Sequence, residues 1–422
     1  MGTLTTTPTQ ATDWRYVVRC RVLIGVAVIV LWTAGIEARL IYLQIIKYSE
    51  LLALAENQQL RTVLAPAKRG EILDRGGRVL AYSVDAESIY AVPTEIKNPD
   101  ETAETLCAEL DVCGDQDLKG FVDRLRQPRA FVWIRRKVSP DEARRIGALN
   151  LDGIGFLSED RRFYPGKELA AHLLGYVGVD NQGLGGVEST YDREIRGRPG
   201  KILIQTDAHG SAFSRIERPP TAGATLELTV DKYLQHIVER ELRMGVEEHR
   251  ADGGSIVVLD PNTGEVMALA NEPTFNPNMF ARSPESNRRN RAIQDIYEPG
   301  SAFKVVTASA VLEEQVVRAN DLVDVRAGMI KFGSREIEDV YTYDTLSFTD
   351  VIVKSSNVGI IMVGLKLGPE RLGEYVKRFG FGQSLSRDFQ GESRGIVWDP
   401  SSLDDAAVAS VSMGYQIGVT PL

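Results

Sequence analysis

Histidine and cysteine are scarce in this chain, with four histidines (172, 209, 236 and 249) and three cysteines in 422 residues. The histidines are scattered and lack partners at ligand-like spacing, so the sequence predicts no metal centre, and no cofactor is expected. Long basic runs are missing as well, and the net charge is −9, which argues against a nucleic-acid-binding protein. Cys20 lies beside the N-terminal apolar segment, while Cys107 and Cys113 fall in one helical-looking stretch. Buried free thiols are the plain reading of that pair. A Cys107–Cys113 disulfide is the alternative, resting on proximity and an oxidising compartment. What is present is ordinary for a folded protein: 43% apolar and 25% charged residues, with length for two or three domains.

The compartment is decided near the N-terminus. VLIGVAVIVLWTAGI (22–36) carries no charge and is flanked by the apolar stretches Tyr16–Val18 and Leu40–Ile46. Fifteen residues are short for a span of about 20, but flanking arginines can snorkel, so a transmembrane anchor over 22–46 is predicted. Arg15, Arg19 and Arg21 precede it, placing residues 1–21 in the cytoplasm and the bulk of the chain outside, on a single-pass plasma (inner) membrane protein. A cleaved signal peptide is the competing reading, although no clear small-x-small cleavage site follows.

Beyond the anchor, residues 61–93 read as short strands around glycine turns, and 100–148 contain two helical stretches, ETAETLCAELDV and SPDEARRIGAL. Mixed, turn-rich sequence continues to about Ala222. ATLELTV then reads as a strand, DKYLQHIVERELRMGVEEH as a long amphipathic helix, and GGSIVVLDPNTGEVMALAN as a hairpin turning at Pro-Asn-Thr-Gly. A domain boundary is placed near residue 222.

The candidate chemistry begins in YEPGSAFK (297–304). Pro299 and Gly300 punctuate the chain, and SAFKVVTASAVLEEQ has apolar residues at helical spacing, so a helix is predicted from about Ser301. Residues three apart share a helix face, which puts the Ser301 hydroxyl beside the Lys304 ammonium. An apolar setting disfavours the charged lysine, and a neutral amine can take the serine's proton and make it a nucleophile. The spacing alone is weak: with 24 serines and 13 lysines, about 0.7 such pairs arise by chance, and taken alone a capping serine beside a solvated lysine is the preferred reading. A second motif, S-x-N at Ser355 and Asn357, falls between two helical-looking stretches, where a hydroxyl can relay a proton and an amide can hold a lysine and a substrate. Turn chemistry alone also accounts for it.

S-x-x-K followed by S-x-N is the order used by penicillin-binding proteins and serine β-lactamases. With RGEILDRGG (69–77), RRFYP (161–165), GLGGVESTYD (183–192), GGSIVVLDPNTGEVMALANEPTFNPN (253–278), SSNVG (355–359) and GYQIGVTPL (414–422), the chain resembles the class B penicillin-binding proteins, and most closely their division branch. The resemblance implies an α+β protein with one transmembrane helix (22–46), an elongated mixed α/β pedestal of the dimerisation type (47–222), and an incomplete transpeptidase domain (223–422) built as a penicillin-binding/serine-β-lactamase-like α/β sandwich. It implies Ser301 as the acylated nucleophile, with its N–H as half of the oxyanion hole, Lys304 as its base, Ser355 as the proton relay and Asn357 as the positioning amide. Arg69, Gly70, Asp74, Arg75, Gly77, Arg162, Tyr164, Pro165, Gly186 and Glu188 match the pedestal and its junction, with structural roles.

The implied reaction is cross-linking of peptidoglycan stem peptides ending in D-Ala-D-Ala, in septal wall synthesis, with β-lactams acylating the same serine. Implied partners are a polytopic glycosyltransferase and small single-pass division proteins. The family's third motif, K-[ST]-G, follows none of the 13 lysines, so the chain is expected to be a fragment of a longer transpeptidase. The alternatives are a catalytically inert, anchored scaffold of the division complex and, less in keeping with RGEILDR and RRFYP, a carboxypeptidase or β-lactamase.

Overall fold

The computed structural model describes residues 14–51, 60–65, 67–129, 131–206 and 212–422. They fall into two compact units, one from Met1–Ala65 and Pro199–Pro220, the other from Pro66–Arg198 and Thr221–Leu422.

In the first unit, helix α1 (Trp14–Ile41) runs on through a wider turn at Tyr42–Ile46. Arg15–Ile46 is long and apolar enough to cross a membrane, and none of its apolar window is covered by protein. Leu31 and Trp32 are 73% and 70% exposed, so the helix has no protein core to face. The same unit contains an antiparallel sheet of β1 (Leu60–Ala65), whose partner strand Gly200–Thr206 pairs in turn with Ala212–Arg218.

The second unit opens with β2 (Ile72–Leu73) and β3 (Val79–Ala91). The latter is one 13-residue strand where the sequence suggested short ones. Three helices follow: α2 (Pro99–Glu109), α3 (Asp115–Leu125) and, after β4 (Val132–Val138), α4 (Pro140–Ala148). The reading of residues 100–148 missed α3, although Leu118, Phe121, Val122 and Leu125 have helical spacing. Strand β5 (Ile154–Phe163) pairs antiparallel with β3 from Tyr82↔Phe163 to Ala91↔Ile154. The helices bury Leu106, Phe121, Leu125 and Ile146 against Ile89 and Ile134 of the sheet. Cys107 and Cys113 form a disulfide with Cα atoms 5.4 Å apart, so the paired alternative holds.

The two strands already paired with β1 are β6 (Gly200–Thr206) and β7 (Ala212–Arg218). Of the predicted strand ATLELTV, only β8 (Leu226–Glu227) forms, and it joins β2 in parallel. Helix α5 (Lys232–His249) starts on Asp231, whose carboxylate accepts from the N–H groups of Tyr233 and Leu234. Its apolar face packs on the hairpin β9 (Gly254–Leu259) and β10 (Val266–Glu272) through Val238, Leu242, Ala268 and Ala270. The predicted turn is present at 260–265, with Gly264 at φ +75°.

A buried charge cluster organises the motifs quoted from residues 69–192. Glu188, fully buried, accepts from Arg69 Nη2 at 2.7 Å and Arg162 Nε at 2.5 Å. Arg69 Nη1 reaches Asp192 at 2.6 Å, and Arg162 Nη1 donates to the Gly70 carbonyl at 2.7 Å. Gly70 has no room for a side chain, since a Cβ there would lie 1.9 Å from the Ala224 carbonyl oxygen. The buried Asp74 carboxylate accepts from the Lys232 N–H at the start of α5 (3.1 Å). The Asn278 side chain of NPN exchanges two hydrogen bonds with the Tyr164 backbone of RRFYP, at 3.0 and 2.9 Å. The quoted motifs are therefore a contact map between the two halves of this unit. Replacing Glu188 by Ala strands two guanidinium groups in the interior, and urea unfolding should register a loss of about 3–5 kcal/mol.

Candidate active site

The remaining elements build a helical core around the YEPGSAFK turn. They are α6 (Lys304–Glu313), β11 (Leu322–Asp324), the hairpin β12 (Met329–Phe332) and β13 (Arg335–Glu338), β14 (Thr345–Ser347), α7 (Phe348–Val353), α8 (Asn357–Leu367), α9 (Pro369–Arg378) and α10 (Asp405–Ser412). Val306, Ala310 and Val311 of α6 lie in one apolar cluster with Ile360, Ile361 and Val363 of α8 and Val408 and Val411 of α10. The approach is close at Gly364, where a Cβ would sit 2.1 Å from Ser412 Oγ.

The predicted helix start is corrected by one turn. Gly300–Phe303 is a tighter 3-10 turn, and the α-helix proper begins at Lys304. Pro299 leads in, and Gly300 takes φ +58°, a conformation that favours glycine. The turn is held from behind by GYQIGV: Gly300 N–H donates to the Gly414 carbonyl (2.9 Å), Tyr297 and Val419 exchange backbone bonds at 3.0 and 2.9 Å, and Gln416 N–H donates to Glu298 (2.7 Å). Ser301 is left exposed at the surface of the turn, while Lys304 is 3% exposed.

Ser355 and Asn357, more than fifty residues on, meet Lys304. Lys304 Nζ donates to the Ser355 carbonyl at 2.7 Å, to Ser355 Oγ at 3.1 Å and to Asn357 Oδ1 at 2.8 Å. Three acceptors match the three N–H bonds of an ammonium. Burial pushes the Lys304 amine down to about 8, against the opposing pull of Asp339. The two stretches predicted to be helical are α7 and α8, and Ser355 lies between them at φ +54°. Among the described residues nothing hydrogen-bonds the Ser301 hydroxyl, so the structure assembles Lys304, Ser355 and Asn357 and sets Ser301 one turn before the lysine without linking the two.

Two residues at this site escaped the sequence reading. Ser356, 1% exposed, caps α8 by accepting from Gly359 N–H at 2.8 Å, and its hydroxyl donates to Asp339 at 2.7 Å. A helix-capping serine was readable from S-N-V-G ahead of an apolar run. Asp339 had no local signal. A cavity of about 410 Å³ lies elsewhere, beside His172, Tyr176 and Arg288, and includes neither Ser301 nor Lys304.

A serine and a buried lysine at one helix start, facing a Ser-x-Asn turn, follow the order of residue types found in serine acyl-transfer sites of the penicillin-binding type. Comparison with known proteins agrees. The penicillin binding protein transpeptidase domain matches residues 254–422, and the penicillin-binding protein dimerisation domain matches 64–228. The chain is 35% identical over 416 residues to the peptidoglycan D,D-transpeptidase FtsI of Escherichia coli K12, covering 97% of this chain and 69% of that one. It is 33% identical to stage V sporulation protein D of Bacillus subtilis, covering 92% of this chain and 61% of that one. Among solved structures, penicillin binding protein 3 of Mycobacterium tuberculosis, complexed with aztreonam, superposes with a TM-score of 0.61 at 26% identity, over 85% of this chain and 62% of that one. The chain belongs to the class B penicillin-binding proteins, the peptidoglycan D,D-transpeptidases, in their septal group.

With Lys304 as the proton acceptor proposed below, acylation by a β-lactam should climb as pH rises through about 8 and fall about tenfold per pH unit below that point. Stopped-flow acylation rates across pH 6–10 check this. Gly414 has φ +87°, and a Cβ there would lie 2.0 Å from the Gly300 carbonyl oxygen. Gly414→Ala should therefore displace the Gly300–Phe303 turn that carries Ser301, slowing acylation by about tenfold or more and lowering stability by about 1–3 kcal/mol in the same preparation.

Proposed function

We propose that Ser301 is the nucleophile of a D-Ala-D-Ala transpeptidation and Lys304 its general base. The observation that carries this reading is the buried lysine amine, held by Ser355 and Asn357 one helical turn from an exposed serine. Losing one proton leaves the Lys304 amine with a lone pair for the Ser301 hydroxyl. Ser301 Oγ then attacks the carbonyl between the last two D-alanines of a stem peptide, and the developing oxyanion is met by the Ser301 N–H. The tetrahedral intermediate collapses, and Ser355, hydrogen-bonded to Lys304, passes the proton to the departing D-alanine amine. Asn357 keeps its Oδ1 on Lys304 and its Nδ2 on the Glu338 carbonyl (3.0 Å), which sets the amide's orientation towards the substrate. An amine from a second stem peptide then attacks the acyl-enzyme and forms the cross-link. A β-lactam enters by the same first step, and its acyl group stays on Ser301.

We also propose an anchor over 22–46, a pedestal over 47–222 and a transpeptidase domain over 223–422. This division is supported by the matched ranges 64–228 and 254–422 and by the apolar helix at Arg15–Ile46. With arginines at 15, 19 and 21, the N-terminus is assigned to the cytoplasm and the bulk to the outer side of the plasma membrane. The partners that fit a septal transpeptidase are a polytopic glycosyltransferase and small single-pass division proteins.

Incubating the chain with fluorescent penicillin should give a stable adduct on the Ser301 peptide by mass spectrometry, absent in Ser301→Ala. Lys304→Ala should slow its formation by about 10²–10⁴-fold. Labelling of Lys304→Ala at the wild-type rate would remove the lysine from its role, and no adduct on the unaltered chain would favour an anchored scaffold.

A further inference from the structure

We propose that Asp339 is a positioning residue of this acyl-transfer site: its carboxylate holds the Ser355–Asn357 turn in the conformation that delivers both residues to Lys304. The inference rests on the reading of Ser301 and Lys304 given above.

Asp339 follows β13, and its hairpin is seated in the core by Ile337, 9% exposed. The Asp339 N–H donates to the Gly328 carbonyl at 3.2 Å, which closes the loop leading into the hairpin. Both carboxylate oxygens are turned onto the start of α8. Oδ2 accepts from the Ser356 hydroxyl at 2.7 Å, while Oδ1 accepts from the backbone N–H groups of Asn357 and of Val358 (3.0 Å). The first N–H groups of a helix have no partner within it, and their positive end favours a carboxylate. Ser356 already serves as an ordinary cap by accepting from Gly359, so the carboxylate is an addition to capping. It comes from a different element and grips three consecutive residues of the motif.

What that grip holds is a strained turn. Ser355 lies at φ +54°, a left-handed conformation that a non-glycine residue keeps only where its surroundings impose it, at a cost of about 1–3 kcal/mol. In that conformation both the Ser355 carbonyl and its hydroxyl face Lys304 Nζ. The neighbouring Glu338 carbonyl takes the Asn357 Nδ2, leaving Oδ1 for the lysine. One β-hairpin end thus sets the direction of both motif side chains.

Asp339 is also the charged group whose field reaches Lys304. The other charges on the elements packed here have partners of their own, as Asp350 has in the Ser347 hydroxyl, or are exposed, as are Glu313 and Lys366. Lys354 lies over the Tyr343 ring at 5.2 Å, Arg335 donates to Ser410 Oγ at 3.1 Å, Lys331 pairs with Glu336, and the Glu338 side chain is exposed. Ser301, Ser355 and Asn357 are neutral. Removing the Asp339 charge therefore has a definite sign: the Lys304 ammonium loses a stabilising anion and titrates at lower pH.

The test uses the full chain, Asp339→Asn and Asp339→Glu, with two readouts: benzylpenicillin acylation rates across pH 6–10, and the titration of Lys304 by NMR of ¹³Cε-lysine-labelled protein, assigned through Lys304→Arg. Asp339→Asn should lower the limiting acylation rate by about tenfold or more and move the Lys304 midpoint down by roughly half a unit to one unit. Asp339→Glu should restore the midpoint and only part of the rate. If Asp339→Asn fails to melt cooperatively, Asp339→Glu decides, and a wild-type rate in it overturns the proposal. A folded Asp339→Asn with wild-type rate and midpoint overturns it, as does a slower rate with an unmoved midpoint, which assigns Asp339 to the fold alone. An unaltered chain that forms no Ser301 adduct sinks the reading of the site. An adduct with an unmoved Lys304 titration sinks only the role of Asp339.

Discussion

The site depends on keeping one amine out of water. Lys304 is nearly buried, and an ammonium in that setting is tolerated only because three oxygens receive its three N–H bonds. The same burial brings the amine down to about 8, within reach of deprotonation under ordinary conditions. Stability and reactivity therefore come from one arrangement. The acceptors that make the buried cation tolerable are the residues assigned to relay and orient, so the chemistry cannot be separated from the packing that brings α6 against the α7–α8 turn.

That packing is maintained by features far from the lysine. Gly300 and Gly414 both adopt left-handed backbone, and their contact leaves no space for a side chain at Gly414. The segment Gly414–Val419 works as a backstop that sets the height of Ser301 above the core. On the opposite side, Gly364 lets α8 and α10 approach closely, which fixes where the start of α8 falls relative to α6. Small residues at these crossings are geometric requirements of the turn and the helix pair.

The buried cluster of Arg69, Arg162 and Glu188 does for the pedestal what the lysine's acceptors do for the site. Charges removed from water must be matched nearly completely, so Arg69 specifies neighbours 112 to 123 residues away, and Arg162 ties Glu188 and Gly70 at separations of 26 and 92. Asp74 at the start of α5, and Asn278 against Tyr164, extend the same logic across to the elements that carry β9 and β10.

Several elements were legible from the residues alone. The apolar run behind Arg15–Arg21 is a long helix, the Pro-Asn-Thr-Gly hairpin turns where expected, and the spacing from Ser301 to Lys304 puts both at one helix start. Periodicity and turn chemistry act within a few residues, so they survive in the sequence. The same signal was present for α3 and went unread, and the 13-residue strand β3, entered through the Gly76-Gly77 turn, was read only within a set of short strands. Other features were decided only by the fold. The meeting of Ser355 and Asn357 with Lys304 and the grip of Asp339 join residues from separate elements, and the left-handed backbone of Ser355 and the 3-10 turn at Ser301 are found within that packing. Spacing along a chain says which side chains share a face. Which faces then touch is settled by burial and by the need to satisfy every buried charge, and that is a property of the packed structure.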